Sequence, residues 1–519
     1  VPEGLTRHIT GRRTVLAAGF GAALGFGLHA PARASGGPDP FTLGVASGDP
    51  TADGVVLWTR LAVDPLADDG HGGMPNRAID VEWEVADDER FARVVQRGLG
   101  TAVGELGHSV HAEVHGLEPG REYFYRFRTG RHISVAGRTR TAPAPGTVTS
   151  ALTFCMSSCA QWEHGHFTTY RRLAEDDPDL VLHLGDYIYE HGPGGYPVES
   201  GIARPMHGGE TRDLADYRVR HALYKSDPDL QFAHAAAPWL IVWDDHEVDN
   251  NWAGYHHEVF GDTPKFRERR RAAFRAYYEN MPLRRTSLPR GDDLRLHRRV
   301  EWGGLANFHL LDTRQYRDDQ ACGGLIGPCG QESRPERTIT GDEQEAWLLD
   351  GFRQSRARWD FLGQQVMMAQ LDSAKGPLKV TSMDTWDGYT ASRDRVARGW
   401  LDAGVRNPVV LTGDIHEHYA NDLSLNYDDP DSPVIGSELV TSSVTSGGDA
   451  EGGEFTGDPE NPHIRFHDDM RGYVRARVTE SQLTADFRVL PYVRQPGAPA
   501  GTKTSLHLAD GIPGWEKSA

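Results

Sequence analysis

The chain has no excess of positive charge: 55 lysines and arginines stand against 74 aspartates and glutamates, a formal net charge of -19. That balance argues against a nucleic-acid-binding face, which needs a basic patch, and is compatible with an extracellular, cation-rich setting. Long apolar runs are also missing. Beyond a short Ala/Gly-rich segment near the N-terminus, no stretch reaches the roughly 20 apolar residues of a spanning helix, so no stable membrane span is expected. No Gly-x-Ser-x-Gly elbow occurs, which removes one serine-nucleophile reading. Cysteine is scarce, four in 519 residues, and the four divide two and two. Cys322 and Cys329 flank a glycine-rich loop that would close into a disulfide in an oxidising compartment. Cys155 lies inside Leu152-Thr153-Phe154-Cys155-Met156, expected strand core, and Cys159 falls just past it.

At this length two domains plus tails are expected. Residues 1–34, with Arg12-Arg13 ahead of an apolar segment and Ala32-Arg33-Ala34, read as a twin-arginine signal peptide cleaved after Ala34, so a secreted, extracellular protein is expected. Residues 41–142 are rich in short alternating strands, such as Ile79-Asp80-Val81-Glu82-Trp83-Glu84-Val85, and read as an all-β sandwich. Leu117-Glu118-Pro119 followed by Tyr123-Phe124-Tyr125 resembles the tyrosine corner of immunoglobulin and fibronectin type III folds. Pro143-Ala144-Pro145-Gly146 is a natural linker. From 150 to 495 strands alternate with helical segments, the signature of an α/β layered catalytic domain, and 496–519 reads as a loose C-terminal tail. Within the α/β part a helix is expected over 264–280, with Arg267-Glu268-Arg269-Arg270-Arg271 as a solvated face. Thr340 is expected to cap another helix, and strands are expected at 305–311, 365–371, 473–478 and 483–489.

Three apolar runs end on acid and imidazole. Val181-Leu182-His183-Leu184-Gly185 runs into Asp186-Tyr187-Ile188-Tyr189, Pro238 to Trp243 runs into Asp244-Asp245-His246-Glu247, and Pro408 to Gly413 runs into Asp414-Ile415-His416-Glu417-His418. Buried parallel strands deliver such residues to the carboxyl edge of a sheet, where ligands bind. Carboxylates gathered there repel one another unless a cation neutralises them, so a metal site is expected. His183 would face away from the mouth if the strand alternates.

These landmarks, with Ser47-Gly48-Asp49-Pro50, Ser158-Cys159, Gln161-Trp162, Asp312-Thr313-Arg314-Gln315-Tyr316-Arg317 and Trp386-Asp387-Gly388-Tyr389, resemble the PhoD-type alkaline phosphatases, a branch of the metallophosphoesterases. The resemblance implies a metallophosphoesterase-like layered β-sheet core with helices after the sandwich. Ordinary members open with Asp-x-His, continue with Gly-Asp-x-x-Asp and Gly-Asn-His-Asp/Glu, and close with Gly-His-x-His. Here Cys159 takes the first position, Tyr189 replaces the second Asp, Asp245 stands for the Asn, and Asp414 replaces the first His of the last pair. The resemblance implies a ferric ion on Cys159, Tyr189 and His416, calcium on Asp245 and Asp414, and Asp186 bridging. Ligand softness agrees with that division but does not by itself specify Fe3+ and Ca2+.

The implied reaction is hydrolysis of small-molecule phosphate esters by a hydroxide or oxide bridging the metals. Alongside Asp186, His246 is the candidate for transition-state stabilisation or leaving-group protonation, with Glu247 as its orienting group, and Arg314 or Arg317 is the candidate phosphate contact. Asp387 and Tyr389 are candidates for the pocket rim. Two alternatives stay open: a phosphodiesterase or phospholipase D-like hydrolase with the same metals, acting on phospholipid or polymer diesters, and a non-catalytic secreted binding module with structural metals. Asp372-Ser373-Ala374 superficially invites a serine-nucleophile phosphatase, but Lys375-Gly376-Pro377 breaks the small-residue run such a site needs.

Overall fold

The structure is a computed structural model that describes residues 37–324, 326–327 and 329–517. The signal-peptide reading of 1–34 lies outside the described residues. Two large sheets carry the fold. In the first, Leu152–Ser157 and the fully buried strands Leu180–Leu184 and Pro238–Val242 run parallel, with Leu182 opposite both Met156 and Leu240. Strands buried on both faces read as continuous apolar runs, which is why Leu180–Leu184 and Pro238–Val242 stand out in the sequence. In the second, Ala306–Leu310, Trp359–Gly363, Pro408–Thr412 and Val434–Val440 are parallel neighbours. The sheets pack face to face: the Phe154 ring sits edge-on to Phe308 and Phe361 at 5.5 and 5.2 Å, and Leu184, Val242, Leu411 and Leu439 share the same apolar core. The helices Asp342–Gln354 and Thr390–Asp402 add Leu348, Phe352, Val396 and Trp400 to a second core built on Leu362, Val410 and Val440 of the second sheet. The expected layered α/β core with an N-terminal β-rich domain is therefore present.

The N-terminal domain joins this core more intimately than its composition suggests. Val45–Thr51 pairs in parallel with Pro238–Val242, and Gly54–Arg60 and Ser109–Val114 follow it, so one sheet of the sandwich continues the central sheet. Ile79–Ala86, Val94–Ala102 and Glu122–Thr129 form the opposing sheet, and Val55, Leu57, Val81, Val85, Tyr125 and Phe127 fill the space between. The tyrosine corner forms as expected: the Tyr123 hydroxyl accepts from the Glu118 backbone N–H at 2.9 Å. From Asp39 onward the described residues make one compact unit.

Several local expectations need correction. The segment past 496 is no loose tail: Gly501–Ala509 pairs with Gln482–Val489 and buries Leu506 and Leu508, while Asp510 accepts from Arg406 and Asn407. The strand expected at 365–371 lies earlier, at Trp359–Gly363. Residues 365–371 are a mostly buried loop whose N–H groups go to carboxylates, Met368 and Ala369 to Glu438 and Leu371 to Asp387. The helix Pro264–Asn280 forms, but Arg269 and Arg270 are buried. Arg269 pairs with Asp249 at 2.9 Å, and Arg270 lies over the rings of Tyr255 and Phe274. Gly341, with φ of 71°, occupies the cap position expected for Thr340. The Cys322–Cys329 disulfide is formed, and Cys155 is buried core.

Burial also sets the acid response. Burial lowers the imidazoles of His111 to about 4, His183 to about 3 and His297 to about 4. His111 is representative: its Nε2 lies 3.0 Å from both the Tyr278 and Met281 carbonyls, and its ring stacks on Tyr278 at 4.4 Å. A histidine with a depressed folded pKa contributes stability that is fully present above the unfolded value of about 6.5 and is lost as pH falls towards the folded value. Each should cost about 2 kcal/mol of stability by pH 5. The melting temperature is expected to fall between pH 7 and 5, with a shallower slope in His111→Gln; equal slopes would remove His111 from this account.

Candidate active site

The strand ends of both sheets converge on one edge. Backbone bonds lock them together: Cys159 donates to the Gly185 carbonyl at 3.1 Å, Ala160 to Asp186 at 2.9 Å, and Ser158 bridges to Ser443. Two glycines permit the approach. A Cβ on Gly185, at φ +111°, would stand 2.4 Å from the Asp244 Cβ, and one on Gly413 would stand 2.8 Å from the Ser158 Cβ. Cys159, Asp186, Asp414 and His416 all adopt left-handed backbone, at φ 60, 55, 63 and 62°. Non-glycine residues hold that conformation only where their surroundings over-determine it, and such residues cluster at functional sites.

Ligand atoms of Cys159, Asp186 and His416 lie within 4.8 Å of one another, and so do those of Asp186, Asp245 and His246. Asp186 belongs to both groups. Tyr189 completes the first: its hydroxyl donates to Asp186 Oδ2 at 2.9 Å, lies 3.1 Å from His416 Nε2, and accepts from Ser446 at 2.7 Å. Asp414 is adjacent, its backbone oxygen 3.8 Å from Cys159 Sγ. Cys159, Asp186, Tyr189, Asp245 and His416 are thus near one another, with Asp414 beside them. His183 is absent from it, bound 2.9 Å from the Tyr170 hydroxyl, and His418 accepts the Ser442 N–H instead.

This donor set fits bound cations. Asp186 Oδ1 and Asp244 Oδ2 are buried without a hydrogen-bond partner among the described residues. Asp186, Asp244, Asp245, Asp384 and Asp414 share the centre with the guanidiniums of Arg314 and Arg317, so negative charge is left over. The cost appears in the titration. Burial, reinforced by Asp244 for Asp414, pushes the Asp186 and Asp414 carboxyls well up, and burial raises Asp244 to about 6 against the pull of Arg314. Burial and Asp186 also raise the Cys159 thiol and the Tyr189 phenol, while burial and Arg471 lower His416 to about 3. A cation reverses this logic for its thiol and carboxylate ligands.

His246 is held differently. Burial alone would lower its imidazole, but Glu190, Asp245 and Asp186 outweigh it and hold it well above the ordinary value. Its Nδ1 is 2.7 Å from Glu190 and its ring stacks on Tyr189 at 4.1 Å. Glu190, rather than the expected Glu247, orients it. Glu247 instead accepts the backbone N–H groups of Asp186, Tyr187 and Asp244, at 3.2, 2.6 and 2.9 Å, pinning two strand mouths together.

Arg314, expected at phosphate, is completely buried, its Nε donating to Asp244 and its Nη1 to Asp384 at 2.5 and 2.8 Å. Arg317 meets the same Asp384 at 2.7 Å. Asp387 is bound to Arg393 and the Tyr389 hydroxyl donates to the Asp318 carbonyl, so both serve the interior. Ser373 is on an exposed turn, donating to the Val380 carbonyl. Reading the sequence missed Asp244, Glu190 as an orienting group, and Asp384. Asp244 could have been found, because it directly ends the apolar run Pro238 to Trp243; Asp384 ends none.

A PhoD-like phosphatase model matches residues 154–487, and a PhoD-like phosphatase N-terminal domain model matches 28–143. The chain belongs to the PhoD-like phosphatase family. It is similar to alkaline phosphatase D of Bacillus subtilis (strain 168), 49% identical over 471 residues that cover 90% of this chain and 80% of that protein. A solved structure of PhoD superposes with a TM-score of 0.89 at 46% identity, covering 94% of each chain. As a PhoD-like phosphatase the chain is a phosphoric ester hydrolase. No helix among the described residues is long and apolar enough to cross a membrane.

Proposed function

We propose that the chain is an exported alkaline phosphatase that hydrolyses phosphate esters at a mixed iron and calcium centre. The observation that carries this reading is the gathering of a thiol, a phenol and an imidazole around Asp186, beside the oxygen donors Asp245 and Asp414. Cys159, Tyr189 and His416 would hold the softer-ligated ferric ion, Asp245 and Asp414 the calcium, and Asp186 both. When bound, these ions would supply activation of the attacking water and neutralisation of charge on the phosphoryl oxygens.

The chain's own residues do the remaining work. Glu190 fixes the His246 ring through Nδ1 and favours its protonated form, leaving Nε2 to donate to the ester as charge develops on the leaving oxygen. Glu247 sets the spacing of Asp186 and Asp244 by holding their backbone N–H groups. Arg314 acts through the carboxylates it aligns, as a positioning residue. Export through the twin-arginine route is part of the proposal, supported by Arg12-Arg13 and by a disulfide of the kind that persists in oxidising compartments.

A strong calcium chelator should abolish turnover of a phosphomonoester at alkaline pH, and added calcium should restore it. Activity that survives prolonged chelation would remove calcium from the account.

A further inference from the structure

Beside His246 stands an aromatic wall that neither the donor set nor the proton-transfer chemistry uses. Tyr196 lies on the loop His191-Gly192-Pro193-Gly194-Gly195-Tyr196-Pro197. Its ring is 5.5 Å from Tyr189 at 23° and 5.5 Å from His246 at 48°. The rings of His191, at 5.4 Å and 20°, and His164, at 5.5 Å and 22°, extend the wall.

A loop of glycine and proline would ordinarily leave its large side chains in solvent. Here two anchors prevent that: His164 Nε2 is 2.9 Å from the Tyr196 carbonyl oxygen, and the Gly194 N–H donates to Glu163 at 2.9 Å. A purely structural role does not account for what remains, because Tyr187 and Tyr189 are completely buried whereas Tyr196, packed against the same centre, is half-buried. It is a residue held in place and left partly open.

We infer that Tyr196 is a substrate-contacting residue whose ring forms the wall of the leaving-group subsite, favouring esters with planar, aromatic organic groups over small aliphatic ones. The inference rests on the reading of this centre as the place where phosphate esters are hydrolysed. Tyr196 borders the centre beside both Tyr189 and His246, so the organic group of an ester held there meets its open side. Aromatic rings meet planar partners by offset stacking or edge contact, which a small alkyl group cannot reproduce.

The test compares kcat/KM of the wild type, Tyr196→Leu and Tyr196→Phe on phenyl phosphate and on glycerol phosphate, with metal content measured for each protein. Tyr196→Leu should lose about tenfold on the phenyl ester, mainly through KM, and less than about threefold on the glycerol ester. Tyr196→Phe should match the wild type on both, and all three proteins should carry the same metals. Equal losses on the two esters, no loss on either, lowered metal content in Tyr196→Leu, or a Phe variant as impaired as the Leu variant would overturn the assignment. Failure of the underlying functional reading looks different: the wild type would hydrolyse neither ester, or Asp186→Asn would hydrolyse both as fast as the wild type.

Discussion

Asp186→Asn is expected to strip the centre of its ions and to lower phosphatase turnover by more than about 1,000-fold. Asp186 is the residue common to both groups of candidate ligands, and one of its oxygens has no partner among the described residues. Asparagine suits the test better than alanine, because the site requires a φ of 55°, a conformation asparagine tolerates. It preserves size and the hydrogen bond from Tyr189 while removing the charge. The melting temperature of the apo-protein should therefore change little, which separates loss of the centre from loss of the fold. Full activity in this variant, with metals still bound, would mean that the metals are structural and that the ester is hydrolysed elsewhere in the chain.

The second large effect concerns the His246 and Glu190 pair. His246→Gln is expected to lower kcat by about 100- to 1,000-fold while leaving metal content near that of the wild type, because the imidazole is assigned to the ester rather than to an ion. Glu190→Gln should cost less, about tenfold to 100-fold, since the ring keeps its stacking on Tyr189 but loses the carboxylate that holds its charge and orientation. The double variant should be no worse than His246→Gln alone, since residues acting through one proton donor are not additive. Losses that multiply, or a His246→Gln protein stripped of metal, would mean that Glu190 and His246 work separately or that His246 is itself a ligand. Glu190 also accepts the Asn250 N–H at 2.9 Å, so its variant should be checked by circular dichroism for a retained fold.

How much of this centre could be read from residue order follows from how each part is held. Asp186, Asp245 and Asp414 announce themselves because a buried parallel strand is a continuous apolar run, and an acid at its end breaks the pattern sharply. Tyr189 and His416 come with them by spacing. Glu247 and Glu190 were present in the same stretches, yet their jobs were not legible: Glu247 acts on backbone N–H groups some 60 positions away, and a side chain bound to backbone leaves no partner to find in the sequence. Asp384 and the arginines it joins meet across loops without periodicity, so nothing local marks them.

The same distinction governs the fold. The tyrosine corner and the helix Pro264–Asn280 are local and were readable. The strand Gly501–Ala509 was not, because its inward residues are few and its outward ones, such as Thr502 and Lys503, are those of a solvated segment. The buried loop over 365–371 has the apolar content of a strand; the carboxylates of Glu438 and Asp387, from elsewhere in the chain, take up its N–H groups and let it remain irregular. The burial of Arg269 and Arg270 likewise depends on distant Asp249 and on aromatic rings that a charge count does not weigh.

The most direct test of the central claim is elemental analysis of the purified mature protein. The mixed-metal account predicts about one iron per chain together with calcium, both lost in Asp186→Asn. Zinc in place of iron, or a protein that is active with no bound metal, would contradict the assignment of Cys159, Tyr189 and His416 as ligands.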